Sequence, residues 1–385
     1  MGSLLCQKAL FDIPKDVHYI NCAYMSPLMN HLEELSFDVI KNQKHPYKIG
    51  ATDFFEPSQI LKHNFANLIG VDNPERIAII PSVSYGIANV VQNVRMEPGQ
   101  NIIIAAEQFP SNVYPWMHLC EANNGELHQV RRPADDQTWS RAIIDLIDGN
   151  TAVVALGHVH WADGYKFDLA KIAKTVRKNG ALMIIDGTQS VGAMDFPMDE
   201  IQPDALICAG YKWLMGPYSI GVAYYGPYFD DLQPIEHNWI NRKNSHIFQD
   251  LINYQPEYRQ GANRYSVGET TNFILTPILS AAIEQLNAWK VSEIQAYCSD
   301  LIADFVDEWR DMGYSINSGD EFAAHLFGVR LPRGEESMSI QAILEKHHVF
   351  VSFRGDAIRI APSVYNDRED MKALTAALKE FIFRS

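Results

Sequence analysis

The chain has 385 residues, of which 47% are hydrophobic and 21% are charged, a composition typical of a folded globular protein. Its net charge of −15 at pH 7 argues against the basic face that general nucleic-acid binding requires. The five cysteines are scattered and form no CxxC pair, so we expect neither a metal site nor a disulfide framework. This use of cysteine favours a cytoplasmic location. We also expect no signal peptide, because the first residues lack a basic region followed by a long apolar one. We expect no membrane association, because no apolar run reaches the length of a spanning helix.

Short apolar runs rich in β-branched residues alternate with longer amphipathic segments through the first part of the chain. Such runs are typical of strands buried on both faces of a sheet. The segments SYGIANVVQNVR and DLAKIAKTVRKNG, which lie between runs, have helical patterns. The alternation predicts an α/β fold with a mostly parallel sheet. The predicted strands are residues 76–82, 101–107, 151–159, 181–187, 205–210 and 220–226.

The pattern changes from about Tyr265 onward, where two long helices precede three strands and a last helix. We therefore predict a large α/β domain at residues 15–262 and a smaller α+β domain at residues 263–385, with residues 1–14 packed against the smaller one. The predicted elements of this part are helices at 271–289, 291–313 and 368–384 and strands at 325–332, 349–355 and 357–362.

Polar and aromatic side chains follow several of the predicted strands, at the edge where an open α/β sheet binds its ligands. Taken singly, each has an ordinary explanation, such as a helix cap for Ser82 or a core position for Phe109. Their concentration at one edge of the predicted sheet favours a ligand-binding site there. In chain order they are Ser82, Ser84, Phe109, His158, His160, Asp186, Gln189 and Lys212.

These residue types match the chemical needs of pyridoxal phosphate. A lysine amine condenses with an aldehyde, and a carboxylate keeps a pyridine nitrogen protonated. The start of a helix binds phosphate, and an aromatic ring stacks on the pyridine. Asp186 and Lys212 are separated by one strand–helix–strand step, so they are able to flank one ring.

The stretch ALMIIDGTQSVGAMDFPMDEIQPDALICAGYKWLMGP, residues 181–217, resembles the signature of the class V aminotransferase family of fold-type I pyridoxal-phosphate enzymes. That family includes cysteine desulfurases, kynureninases and isopenicillin N epimerase-like proteins, and the similarity extends from about Ile20 to Met371. The resemblance implies a mostly parallel seven-stranded sheet in the large domain, pyridoxal 5'-phosphate as cofactor, and a homodimer with shared active sites.

The resemblance assigns the residues around the cofactor ring. Lys212 looks like the Schiff-base lysine, and Asp186 is similar to the aspartate that faces the pyridinium nitrogen. Gln189 matches the glutamine near the phenolic oxygen of the ring. Phe109, in QFPSNVYPW, resembles the stacking phenylalanine of kynureninase-type members, and Tyr211 occupies the place of a tyrosine that reaches the phosphate.

The segment SVSYG resembles the phosphate loop, with Ser82, the Val83 backbone and the Ser84 hydroxyl as binding groups. VGETTN resembles the segment through which a partner subunit touches the phosphate. The resemblance implies that Thr270 makes this contact, with Thr271 as the alternative.

Three further residues are assigned to the substrate or to catalysis. Arg359, in IRIAP, matches the arginine that pairs with the α-carboxylate of the substrate. Tyr24 lies in the N-terminal segment that borders the pocket. His160 stands where desulfurases have an asparagine, and it is a candidate either for acid–base catalysis or for a structural role.

The sequence does not choose between reactions. We favour transamination, with carbon–sulfur lyase (β-elimination) activity or epimerisation as the next hypotheses. Kynureninase activity and a non-catalytic binding protein are weaker alternatives. The segment VFVSFRGDAIRIAP lacks the cysteine that many desulfurases carry before the substrate arginine, which argues against a persulfide mechanism. The chain has no GxGxxG turn, which argues against a nicotinamide-dependent oxidoreductase.

Overall fold

The computed structural model describes residues 4–134, 137–332, 335 and 337–384. Within these ranges the α-helices are α1 (Asn30–Gln43), α2 (Glu56–Leu68), α3 (Val83–Val91), α4 (Tyr114–Asn123), α5 (Trp139–Leu146), α6 (Leu169–Lys178), α7 (Met198–Ile201), α8 (Leu275–Trp289), α9 (Val291–Asp311), α10 (Gln341–Lys346) and α11 (Arg368–Arg384). The strands are β1 (His18–Tyr19), β2 (Ile77–Ile80), β3 (Asn101–Ala105), β4 (Glu126–Val130), β5 (Thr151–Gly157), β6 (Leu182–Asp186), β7 (Ala205–Ala209), β8 (Gly221–Tyr225), β9 (Phe327–Arg330), β10 (Val349–Phe350), β11 (Ser352–Arg354) and β12 (Ala357–Ile360).

Seven strands form the central sheet in the order β2-β8-β7-β6-β5-β3-β4. Strands β7, β6, β5, β3 and β4 run parallel, whereas β8 is antiparallel to both of its neighbours. Helices cover both faces, and therefore the central strands are apolar throughout, as in the fully buried β7. The predicted mostly parallel seven-stranded α/β sheet is confirmed, and all six strands predicted for this part of the chain are present.

The strands differ from the prediction at two places. The edge strand β4 (Glu126–Val130) was not predicted, because it has no apolar run and most of its residues are at least partly exposed at the rim of the sheet. The segment 349–355 was expected to be one strand but is divided between two sheets. Val349 and Phe350 pair with β1, and Ser352–Arg354 pairs with β12, so the change of partner at Val351 breaks the strand.

The C-terminal part is built on a three-stranded antiparallel sheet in the order β11-β12-β9. Side chains of α9 and α11 share a core with this sheet, whereas α8 packs on α2 and joins the core of the large sheet. At the N-terminus, the Lys8 amine lies 3.0 Å from Asp367 and 3.1 Å from Asp370 at the start of α11. The domain boundary near residue 262 stays a prediction.

The loop at residues 158–167, which follows β5, is pressed against β9. The amide of Gly328 in β9 donates a hydrogen bond of 2.9 Å to the Asp163 carbonyl oxygen. Gly164 has a φ of +74°, and a Cβ atom placed on it would lie 1.9 Å from the Leu326 carbonyl oxygen. A glycine is therefore required here both by backbone conformation and by space. None of the helices in the described ranges is long and apolar enough to cross a membrane.

Replacing Gly164 with alanine is expected to destabilise the protein strongly. Gly180 provides the matched control, since its φ is +72° but nothing lies within 4 Å of a Cβ atom placed on it. Gly180→Ala should cost about 1–2 kcal/mol for the left-handed backbone alone. Gly164→Ala should cost a further ~1–3 kcal/mol for the overlap with β9. Urea unfolding of both variants measures the difference, and equal losses would contradict the close contact.

Candidate active site

A cavity of about 360 Å³ lies at the carboxyl edge of the central sheet, beyond the ends of β2, β3, β5, β6 and β7. We name it the sheet-edge cavity. The parallel strands deliver their following residues to one place, which is why side chains distant in sequence meet here. The predicted residues that line it are Ser82, Val83, Ser84, Phe109, His160, Asp186, Gln189, Tyr211 and Lys212.

Lys212 follows β7 and is only 7% exposed. Burial and repulsion by Arg359 lower the pKa of its amine to about 8, although the Asp186 carboxylate opposes this shift. The amine nitrogen lies 5.4 Å from the ring centroid of Phe109 and 5.6 Å from that of Tyr211. A substantial fraction of the Lys212 amine is therefore neutral near pH 8. An amine must be neutral to act as a nucleophile or as a proton acceptor.

Asp186 ends β6, and its side chain is held by the first turn after that strand. The Thr188 amide donates a hydrogen bond of 3.0 Å to Oδ1. Burial raises the pKa of this carboxyl group, while the hydrogen bond from Thr188 and the nearby Lys212 limit the rise. A carboxylate in this position is suited to a cationic partner inside the cavity.

Gln189 is fixed by two contacts that the sequence did not reveal. Its Nε2 donates to the Ala23 carbonyl oxygen at 3.1 Å, and its Oε1 accepts from the Trp213 indole at 2.8 Å. Its backbone carbonyl oxygen lies 2.8 Å from Nε2 of His325. Gln189 thus joins the sheet-edge cavity to the N-terminal segment and to the C-terminal part of the chain.

The N-terminus of α3 forms one wall of the sheet-edge cavity. Ser82 caps the helix, because its Oγ accepts from the Tyr85 amide at 3.2 Å. The Ser84 hydroxyl donates to Ser111 at 3.0 Å, and both serines line the cavity. The first amides of a helix have no partner within it, so this wall offers N–H groups and hydroxyls to an anion.

His160 is anchored at both ring nitrogens. Its Nδ1 lies 3.1 Å from the Asp163 carboxylate, and its Nε2 lies 3.3 Å from the Ala106 carbonyl oxygen. The same carboxylate binds Arg132 at 2.9 Å and Arg330 at 3.1 Å. Although burial opposes them, these donors hold the pKa of Asp163 well below its usual range. Asp163 therefore stays ionised and keeps the histidine in place.

A second cavity of about 360 Å³ lies between Lys212 and the hairpin formed by β11 and β12. We name it the hairpin cavity. Tyr24, Arg354 and Arg359 line it, and Tyr24 is 55% exposed at its rim. The residues that line both cavities are Phe109, Trp161, Tyr211, Lys212 and Tyr218. Lys212 therefore stands at the junction of the two spaces.

Arg359 is 1% exposed, and only part of its guanidinium group is satisfied. Its Nη1 donates to the Trp161 carbonyl oxygen at 2.9 Å, but Nε and Nη2 have no hydrogen-bond partner in the described part of the chain. Burial and repulsion by Arg354 lower the pKa of Arg359 to about 9. Buried guanidinium nitrogens without partners are costly, and a carboxylate in the hairpin cavity would satisfy them.

Thr270 and His158 are candidate residues that do not line either cavity of their own chain. The Thr270 side chain is the one for which the resemblance implied a role. It is 3% exposed, and its hydroxyl has no hydrogen-bond partner among the described residues. Its neighbour Thr271 donates to the Phe54 carbonyl oxygen at 2.7 Å. The role predicted for Thr270, contact with a partner subunit's phosphate, stays a prediction.

Sequence reasoning missed Arg354 and Tyr218, which line the hairpin cavity. The signal for Arg354 lay in the alternation of β11, which places Ser352 and Arg354 on one face of the strand. That signal becomes readable only after the pairing of β11 with β12 is known. Tyr218 lies in the loop after Lys212, and the sequence contains no pattern that distinguishes it.

Comparison with known proteins agrees with this geometry. The model of the family described as aminotransferase class V matches residues 32–374. The chain belongs to the class V aminotransferase family. It is 26% identical over 322 residues to an uncharacterised aminotransferase, YcbU, of Bacillus subtilis, and the match covers 82% of each chain.

Solved structures show the same fold. An apo cysteine desulfurase from Thermococcus onnurineus NA1 superposes with a TM-score of 0.84 at 18% identity and covers 100% of both chains. The cystine C-S lyase C-DES, in complex with its product cysteine persulfide, superposes with a TM-score of 0.84 at 17% identity over 94% of this chain and 97% of that one. The predicted family and fold-type I architecture are confirmed.

The class V aminotransferase family uses pyridoxal phosphate, and the residues of the sheet-edge cavity fit that group. An amine of lowered pKa, Lys212, shares the cavity with Asp186, a partly buried carboxylate suited to a cation. The N-terminus of α3 supplies donors for a phosphate, and Phe109 supplies an aromatic wall. The prediction of a pyridoxal-phosphate enzyme of the class V aminotransferase type is therefore confirmed at the level of the family.

The pKa of Lys212 should respond in opposite directions to its two charged neighbours. Arg359→Gln removes a repelling cation and should raise this pKa above about 8, whereas Asp186→Asn removes an attracting anion and should lower it. The pH dependence of the rate at which cofactor-free protein condenses with pyridoxal phosphate reports the neutral fraction of Lys212. An unchanged profile in both variants would contradict the electrostatic control.

Proposed function

We propose that this class V aminotransferase family member transfers the amino group of a small amino acid, with Lys212 as its catalytic base. The observation that carries the proposal is the position of the Lys212 amine. It lies at the junction of a cavity that fits the cofactor and a cavity that contains a buried, partly unsatisfied arginine.

Pyridoxal phosphate supplies an aldehyde that bonds to the amino group and a pyridine ring that withdraws electrons from the α-carbon. Asp186 is proposed to hold the proton on the ring nitrogen. Ser82, Ser84 and the amides of Val83 and Ser84 are proposed to bind the phosphate, with Tyr211 at its other side. Phe109 and Gln189 line the same cavity, and they would contact the ring if the cofactor binds there.

Lys212 is proposed to move the proton at the α-carbon of the substrate. With a pKa of about 8, its amine accepts a proton near neutral pH more readily than an ordinary lysine would. A single residue that removes and returns this proton supplies the proton transfer that transamination requires.

Arg359 is proposed to orient the substrate by its α-carboxylate. Nε and Nη2 form the side of the guanidinium group that lacks partners, and that side has the fork geometry that binds a carboxylate with two hydrogen bonds. Tyr24 closes the cavity at its rim. Fixing the carboxylate fixes the direction of the α-carbon bonds relative to Lys212.

His160 is proposed to support the wall of the sheet-edge cavity. Both of its nitrogens are engaged, with Asp163 and with the Ala106 carbonyl oxygen, and it does not line the hairpin cavity. The acid–base role that the sequence suggested for His160 stays a prediction.

Elimination from a sulfur-bearing amino acid is the second candidate. Tyr24 and Tyr218 line the hairpin cavity, and their hydroxyl groups are the proposed proton donors to a departing thiolate. No cysteine lines either cavity in the part of the chain that the structure describes. Burial raises the pKa of Cys22, behind the Lys212 backbone, to about 12. These observations favour a lyase without a protein persulfide over a desulfurase. Epimerisation stays a weaker alternative.

A homodimer is part of the proposal, as is a cytoplasmic location. The support for the dimer is an exposed apolar surface on the segment after β8, where Trp239, Ile252 and Tyr254 are in contact with solvent in the single chain. The support for a reducing compartment is that all five cysteines are unpaired. Sedimentation equilibrium measures the mass of the protein in solution and so tests the dimer.

The test of the proposed function is the visible absorbance of the purified protein with amino acids. Wild type with pyridoxal phosphate should have a visible band that changes when an amino acid is added. Lys212→Ala should lose the band of the free enzyme and at least about a hundredfold in turnover, since a positioned acid–base group contributes roughly 10²–10⁴-fold. Lys62→Ala, which removes another buried lysine, is the control.

Product analysis then separates the reactions. A keto acid together with an aminated cofactor indicates transamination, pyruvate with a released thiol indicates elimination, and an inverted amino acid indicates epimerisation. Protein that stays colourless after incubation with pyridoxal phosphate would contradict the proposed function and favour a non-catalytic binding protein.

A further inference from the structure

The hairpin cavity is positively charged, although the chain as a whole carries −15. Three cationic side chains line it, Lys212, Arg354 and Arg359, and no acidic side chain in the described part of the chain does so. The three repel one another, because Arg359 and Arg354 both lower the pKa of Lys212 and Arg354 lowers that of Arg359. Such an arrangement is stabilised by a ligand with more than one negative charge.

The strand register places the two arginines on one face of the hairpin. Ser352 pairs with Arg359, and Arg354 pairs with Ala357. Arg354 is therefore the diagonal neighbour of Arg359 on the same face, at a backbone separation of about 7–8 Å. Two guanidinium groups at this spacing are suited to two acidic groups joined by a short chain.

Arg354 is held in place but is not neutralised. Its guanidinium group lies 5.4 Å from the ring centroid of Trp161, and its Nη1 donates to the Phe353 carbonyl oxygen at 2.7 Å. Of the described residues, none forms an ion pair with it. The nearest carboxylate along the chain, Asp356, is 2.9 Å from Arg330 instead. The charge of Arg354 is thus available to a ligand in the hairpin cavity.

We propose that Arg354 binds a second acidic group, at the end of the substrate's side chain. The substrate is then an amino acid with two acidic groups a few carbon atoms apart. This inference rests on the proposed function, in which Arg359 takes the α-carboxylate and leaves Arg354 as the remaining cation. Arg354 acts here as a specificity-determining residue and takes no part in proton transfer.

The test measures the binding of unreactive acids to the holoenzyme by isothermal titration calorimetry. Glutarate and succinate have two carboxylates, and pentanoate and butyrate have the same carbon numbers with only one. Wild type should bind the dicarboxylates about tenfold to a hundredfold more tightly, as expected for one additional charged pair. Arg354→Gln should abolish this preference, and Arg354→Lys should retain part of it.

Arg242→Gln is the matched control. The Arg242 guanidinium group also lies over an aromatic ring, 3.9 Å from the Tyr258 centroid, and its Nη1 also donates to a backbone carbonyl oxygen, that of Pro256 at 2.7 Å. Arg242 lines neither of the two cavities. Its loss should leave the preference for dicarboxylates intact, and a loss of preference in this variant too would overturn the assignment to Arg354.

Two further probes identify the acidic group. Replacing one carboxylate of succinate gives 3-sulfopropanoate and 3-phosphonopropanoate, and the tightest of the three acids indicates the chemical class of the substrate's second group. Equal affinities for dicarboxylates and monocarboxylates in wild type would overturn the inference. That result is distinct from a failure of the proposed function, which appears as the absence of the Lys212-dependent visible band.

Discussion

Burial of the Lys212 amine between two guanidinium groups and one carboxylate is the constraint on which the site depends. An ammonium group there is disfavoured by the lack of water and by Arg359 and Arg354, and it is favoured mainly by Asp186, with a smaller contribution from Cys22. The amine is consequently poised to give up its proton. Asp186 ends β6 and Lys212 follows β7, whereas Arg354 and Arg359 belong to β11 and β12. These charges therefore meet only when the central sheet and the hairpin of β11 and β12 are both formed.

The parallel sheet explains how this arrangement is built. Its strands end at one edge, and their continuations supply Asp186, Lys212 and the N-terminus of α3 without any long insertion. The hairpin then supplies Arg359 from the opposite side, fixed by the Trp161 carbonyl oxygen. One scaffold therefore brings the N-terminus of α3, the Asp186 carboxylate and the Lys212 amine to the same cavity. In the proposed function, the groups of the hairpin cavity orient the substrate.

Much of the site was predictable from the sequence because its residues directly follow strands with a strong apolar signal. Lys212, Asp186, Gln189 and Ser82 all belong to this group, and all line the sheet-edge cavity. Residues whose position depends on pairing between distant segments were not predictable. The edge strand β4 lacks the apolar signal, and Arg354 becomes visible only through its register with β12.

The same distinction applies to the network around Asp163. Its partners Arg132 and Arg330 come from segments far apart in the sequence, and nothing in either segment indicates a shared carboxylate. The anchoring of both His160 nitrogens was likewise hidden, because one of the acceptors is a backbone carbonyl group. Local motifs identify the groups that carry chemistry, whereas tertiary packing decides which of their atoms remain free.

Arg330 connects the two segments that border the hairpin cavity on one side. It bridges Asp163, on the loop beneath Trp161, and Asp356, at the turn of the hairpin, while Arg359 is tied to the Trp161 carbonyl oxygen. Ion pairs and a hydrogen bond thus connect the hairpin to this loop. Tyr24 and Tyr218, which also line the hairpin cavity, are 55% and 63% exposed, so this part of the cavity wall is open to solvent.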